Sequence, residues 1–149
     1  MKRVCLWNLG WLLLTFAWLG PLPRWAERSF SAHMTLHMLV VAVVSPLLAI
    51  AIAGQRWDPV TRVPRLFSPI PASVGELLIV WAWHAPGLHH WARHTMSGLM
   101  MEQGMFLAAG LWIWLSAFGG GTPRSRQRSA AGVIGLLLTS MHMTFWGPC

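Results

Sequence analysis

Five apolar stretches, residues 4–22, 32–54, 72–91, 96–118 and 129–146, take up most of this chain, each close to the roughly 20 residues an α-helix needs to cross a hydrocarbon core. Within lipid an open strand edge would leave its N–H and C=O groups without partners, so consecutive stretches of this length fold as helices. The expectation is an all-α polytopic membrane helix bundle of about five transmembrane helices. It forms one domain over residues 1–149 and leaves no length for a separate soluble unit. Composition points the same way, with 55% hydrophobic residues, 11 Trp and only 10% charged residues. Pro and Gly inside the stretches are compatible with helix because neighbouring helices satisfy the freed backbone groups, and Pro46 predicts a kink in the second. Trp7, Trp25, Trp57, Trp91 and Trp146 fall near the ends of stretches, where an indole anchors at the headgroup level.

The basic residues orient the chain. Lys2, Arg3, Arg56, Arg62, Arg65, Arg124, Arg126 and Arg128 fall on one side of such a bundle and only Arg24, Arg28 and Arg93 on the other. The positive-inside rule then puts the amino terminus in the cytoplasm and the carboxy terminus outside. A net charge of +7 spread over separate loops, with no aromatic interleaving along a groove, excludes a nucleic-acid footprint and fits a lipid bilayer as the partner. The basic, then apolar amino terminus has the outline of a secretory signal, but its apolar run is long and lacks a clean small-residue cleavage site, so it reads as a retained anchor. Cys5 and Cys149 fall at opposite ends of the bundle, beyond disulfide reach.

Given that threading, all seven histidines lie in the half of the membrane away from the basic loops. His33 and His37, in SAHMTLHM, stand four residues apart and share one helical face, a spacing that lets two imidazoles hold one metal ion. Met34 and Met38 repeat that interval beside them, and thioether next to imidazole suits copper, Cu(I) above all. The third stretch contributes His84, and the fifth brings His142 between Met141 and Met143 to a similar depth. The candidate metal ligands are therefore His33, His37, His84 and His142, with Met34, Met38, Met141 and Met143 as thioether donors, although Met is also a common filler of apolar cores. His89, His90 and His94, near the interface, read first as hydrogen-bonding to carbonyls or headgroups. Glu102, about 9 Å into the fourth stretch, lies at the depth of the histidines and can orient an imidazole, whereas Glu76 is expected to reach the opposite interface or pair with an arginine.

The segments FSAHMTLHMLVVAVVSPLLAIAIAG, WAWHAPGLHHWA, MEQGMFLAAGLWIW and TSMHMTFWG, in that order, resemble the membrane-integral CtaG family of cytochrome c oxidase assembly factors. The resemblance implies an all-helical protein of the bacterial cytoplasmic (inner) membrane. Its implied partner is a cytochrome c oxidase subunit, and its implied role is handling copper at the outer face during oxidase maturation. It supports His33, His37, His84 and His142, and implies further spans beyond Gly147. Where the family often has a Glu-His pair in the fourth span, this chain has Glu102 and Gln103.

Two rival readings stay open at this stage. Histidines on facing helices can also ligate haem iron in an electron-transfer protein. A metal-free scaffold can instead assemble through small-residue faces such as Gly98, Gly104 and Gly110, and a homo-oligomer is compatible with either. An enzyme is not expected, because no nucleophile elbow, phosphate loop or two-Cys metal motif occurs.

Overall fold

A computed structural model describes residues 2–120 and Gly132. The described residues are helical with no strand. Helix α1 spans Lys2–Leu19, α2 Leu22–Arg28 and α3 Phe30–Met38; a π-helical segment, Leu39–Val44, leads into α4, Ser45–Ile52. They are followed by α5 Pro59–Arg62, α6 Pro69–His84, α7 Pro86–His94 and α8 Met96–Phe118.

Among the described residues, two helical runs are long and apolar enough to cross a membrane, Phe30–Ile52 and Met96–Phe118. The pair α1 and α2, bent by 44°, makes a third if it counts as one span. The third apolar stretch of the sequence is interrupted: Ala85 adopts extended backbone ahead of Pro86, the conformation favoured before proline, so α6 stops at His84 and α7 starts afresh. Of the fifth stretch only Gly132 is described; Met141, His142 and Met143, and Cys149 beyond the stretch, lie outside the described residues.

Large apolar side chains lie on the exterior as well as in the core. Leu12, Phe16, Ile70, Leu78 and Met100 are exposed, while His33, His37, Ser45, Glu76, Glu102, Gln103 and Ser116 are buried. Lipid rewards an apolar exterior, and polar groups retreat to where other helices can pair them. Glu76 accordingly does not reach the surface.

Helix α8 is the central post, packing against α4, α6 and α7, while α1 lies along α4 and the π-helical segment. Close approach depends on two glycines. A Cβ at Gly10 would stand 2.7 Å from Leu48 Cδ2, and one at Gly110 would stand 2.5 Å from Ser45 Oγ. Gly98 and Gly110 are thus spent on packing within the chain, Gly98 against the Trp91 backbone, and neither is free to form a scaffold face.

The π-helical segment explains how the Phe30–Ile52 run accommodates Pro46. With π spacing the Ser45 N–H bonds Val40 O, and the Ser45 hydroxyl donates to the same carbonyl at 2.8 Å. The next carbonyl, Val41 O, would look for the N–H of residue 46, which proline lacks. The Trp114 indole of α8 supplies a donor instead, at 2.8 Å. The kink expected from the sequence is therefore realised as one widened turn, repaired by a neighbouring helix, directly below the turn that carries His37.

The arginine-rich end is closed by Asp58, which is fully buried. Its carboxylate caps α5 by accepting from Val60 N at 2.9 Å and also accepts from Gly54 N at 2.8 Å and Gly120 N at 3.0 Å. It thereby ties the end of α4 to the end of α8, while Arg3 donates to Ala53 O nearby. The loop between α4 and α6 is thus anchored through one buried carboxylate.

Candidate metal centre

The opposite end gathers the α2–α3 junction, the break between α6 and α7, and the start of α8. Ser29, in extended backbone, caps α3 through its hydroxyl, and Thr95 caps α8 by accepting from Gly98 N at 3.1 Å. These starts set the phase of both helices. His33 and His37 then occupy successive turns of α3, facing Glu102 and Gln103 on the second turn of α8.

The resulting cluster is almost closed to solvent, with His33 at 2%, His37 at 0% and Glu102 at 1% exposure. His37 Nε2 and His33 Nε2 are 2.9 Å apart, and Glu102 Oε1 stands 3.5 Å from His33 Nε2 and 3.6 Å from His37 Nε2. Among the described residues, His33, His37 and Glu102 are the one group of three histidine, cysteine or acidic residues close enough to hold a metal ion. An ion in the plane of these three atoms would lie about 1.9 Å from each, and one lifted about 0.8 Å off that plane would meet them at about 2.1 Å, within the range for imidazole and carboxylate bonds to zinc. The atoms need not move to meet a first-row ion.

The surroundings stiffen the site. Phe106, one turn below Glu102, packs on the His37 ring with centroids 4.3 Å apart. The Gln103 amide nitrogen lies 3.2 Å from His37 Nδ1. In this orientation the amide donates to Nδ1, so the neutral ring carries its hydrogen on Nε2 and donates it to His33 Nε2. Turned over, the amide offers Oε1 to an Nδ1–H, and Nε2 is left with a lone pair directed at the cluster. The two faces of one amide match the two tautomers that an ion-free and an ion-holding imidazole need. Glu102 Oε2 and Gln103 Oε1 are both buried without a hydrogen-bond partner, an expense that a purely structural network has no reason to carry.

The other candidates are placed differently. His84 is exposed at the end of α6, its ring 6.5 Å from that of His37. His89, half-buried on α7, is brought to 5.4 Å from His33, although its position in the sequence suggests only an interfacial role. His90 and His94 are exposed and pair with each other at 4.1 Å. Met38 is 44% exposed and faces outward, and Met34 is half-buried. The third donor brought to the two imidazoles is therefore a carboxylate rather than a thioether. Its only sequence signal is the depth of Glu102, because no spacing rule links α3 to α8. Two rings on one helix with Nε2 atoms in hydrogen-bond contact cannot face each other across a porphyrin, so His33 and His37 do not form an axial haem pair.

The model of the family described as cytochrome c oxidase caa3 assembly factor matches residues 1–148. No curated protein and no solved structure matches.

Proposed function

The chain belongs to the family of cytochrome c oxidase caa3 assembly factors, and from that premise we propose that it serves oxidase assembly by binding one copper ion between His33, His37 and Glu102 and releasing it to an oxidase subunit. The observation that carries this reading is the convergence of two Nε2 atoms and one carboxylate oxygen on a single point, with Glu102 Oε2 still lacking a partner. Two imidazoles and a carboxylate form a borderline-to-hard donor set. Such a set takes Cu(II) in preference to other divalent first-row ions by the Irving–Williams order, and it suits Cu(I) less well than a thioether site does. Copper here is cargo. The protein holds it, keeps it from water and gives it up, and no bond in a substrate is made or broken.

The proposal includes about five crossings of a bacterial cytoplasmic membrane, with the amino terminus inside and the histidine-rich end outside. It rests there on the lysine and arginine distribution and on the two to three candidate spans. His142, Met141 and Met143 remain in it as donors that the fifth stretch would bring to the same end.

The test is metal analysis of the detergent-purified full chain after copper loading and desalting. The wild type is expected to retain one copper per chain, and a variant with His33, His37 and Glu102 all changed to Ala is expected to retain none. Equal copper in both would overturn the site. A chain that retains no copper while still supporting oxidase assembly would overturn the function.

A further inference from the structure

Beyond the buried triad, two imidazoles on other helices sit between it and the surface. His84, the last residue of α6, is exposed, and its Nδ1 lies 2.7 Å from Val80 O. A carbonyl oxygen can only accept, so Nδ1 carries the hydrogen and Nε2 keeps its lone pair. That backbone partner is the arrangement that orients metal-ligating histidines and fixes their tautomer. His84 is thus prepared as a ligand although it lies outside the tight cluster. His89, one turn into α7, stands beside it with near-parallel rings 6.2 Å apart. The same His89 ring approaches His33 to 5.4 Å, and His84 approaches His37 to 6.5 Å. With metal–nitrogen bonds of about 2 Å, two imidazoles on one ion have centroids no more than about 6.4 Å apart, so His84 and His37 at 6.5 Å do not share an ion as placed, while the separations of His89 from His33 and from His84 lie within that reach. They are short enough for an ion to change partners without crossing lipid or bare solvent.

The break at Ala85 and Pro86 creates this geometry. Had α6 continued as one straight helix, His84 and His89 would lie five residues apart on diverging faces. The turn of chain between α6 and α7 instead folds His89 back over His33. Arg93, one turn beyond His89, is held away by donating to Glu27 O at 3.1 Å, yet it remains a nearby cation that weakens any metal held by His89. The outer pair is therefore looser than the buried triad, as a transit site must be.

We infer that His84 and His89 form a second, weaker metal site at the mouth of the cluster, through which copper passes between the buried triad and the partner that receives it. The inference rests on the copper reading of the triad. Passage proceeds by ligand exchange: the ion forms a bond to a His89 ring nitrogen as its bond to Glu102 breaks, then binds His84 Nε2 as His33 and His37 are released. All four imidazoles act as neutral ligands, so the ion's oxidation state does not change and no proton is lost to solvent.

The experiment uses the full chain in detergent, Cu(II) as the titrant, and a colour-forming copper chelator to read both affinity and rate of release. The wild type is expected to bind one copper tightly and a second more weakly. Changing His84 and His89 together to Ala is expected to abolish the weak equivalent, leave the tight affinity within about threefold, and slow release to the chelator at least about tenfold. The pair changed to Gln, which keeps polar groups at these surface positions, is expected to behave as the Ala pair does. Wild-type release rates in these variants would overturn the passage, and so would a loss of tight affinity beyond about tenfold, which would make the two histidines ligands of the one site. A wild type that binds no copper fails at the earlier step and overturns the function of the triad instead.

Discussion

Gln103→Leu separates holding an ion from holding the fold. Gln103 and His37 are both buried and meet at 3.2 Å, with Phe106 against the ring and no solvent at hand to replace a lost partner. Once Nε2 binds a cation the hydrogen must sit on Nδ1, and the ring becomes a stronger donor there. An aliphatic side chain in place of the amide would leave that N–H buried and unpaired, a deficit of about 1–3 kcal/mol that falls mainly on the loaded state. Copper affinity should therefore drop between about tenfold and about a hundredfold, equivalent to roughly 1.4–2.8 kcal/mol. In the ion-free protein the substitution removes both the amide's hydrogen bond to Nδ1 and Gln103 Oε1, which is already buried without a partner, so the two changes oppose each other and the unfolding temperature should fall only slightly. Competition with a chelator measures the first effect, and thermal unfolding of the ion-free protein in detergent measures the second. An affinity within about threefold of the wild type would refute the argument that the amide selects the tautomer.

Other outcomes follow from the same geometry. Met38→Leu should leave copper affinity unchanged in the chelator competition, because the thioether faces outward; a tenfold loss, about 1.4 kcal/mol, would return it to the ligand set. Affinity should weaken as pH falls from about 8 to about 5, since protons compete with the ion for two imidazoles, and an affinity flat over that range would count against histidine ligation. Asp58→Ala strips the acceptor from three backbone N–H groups and should destabilise the ion-free protein by at least about 3 kcal/mol in denaturant unfolding, with copper stoichiometry retained in the folded fraction.

Much of the architecture is legible in the order of residues because lipid imposes a one-dimensional rule: enough apolar side chains in a row must become helix. The helical class, the boundaries of the fourth stretch at residues 96–118, and the pairing of His33 with His37 on one face all follow from length and the 3.6-residue period. Breaks are less legible. Ala85 before Pro86 divides α6 from α7, whereas Pro46, the same residue type within another stretch, is absorbed into a π turn. The difference lies in how the orphaned carbonyl is met. Val41 O finds the Trp114 indole of another helix, while Ala82 O, four residues before Pro86, accepts from Ala85 N in a tighter turn that ends α6.

Local sequence thus decided that the chain is helical and that His33 and His37 share one helical face, since hydrophobic length and helical period act within a single segment. Tertiary structure decided which third atom joins them. Glu102 lies 65 positions beyond His37, and only the close packing of α8 against the run that holds α3, allowed by glycine at position 110, carries its oxygen to the two rings. The outward turn of Met38 follows from that same docking, which sets the rotation of each helix about its own axis, a quantity no spacing along the chain contains, while the break at Ala85 and Pro86 brings His89 over His33.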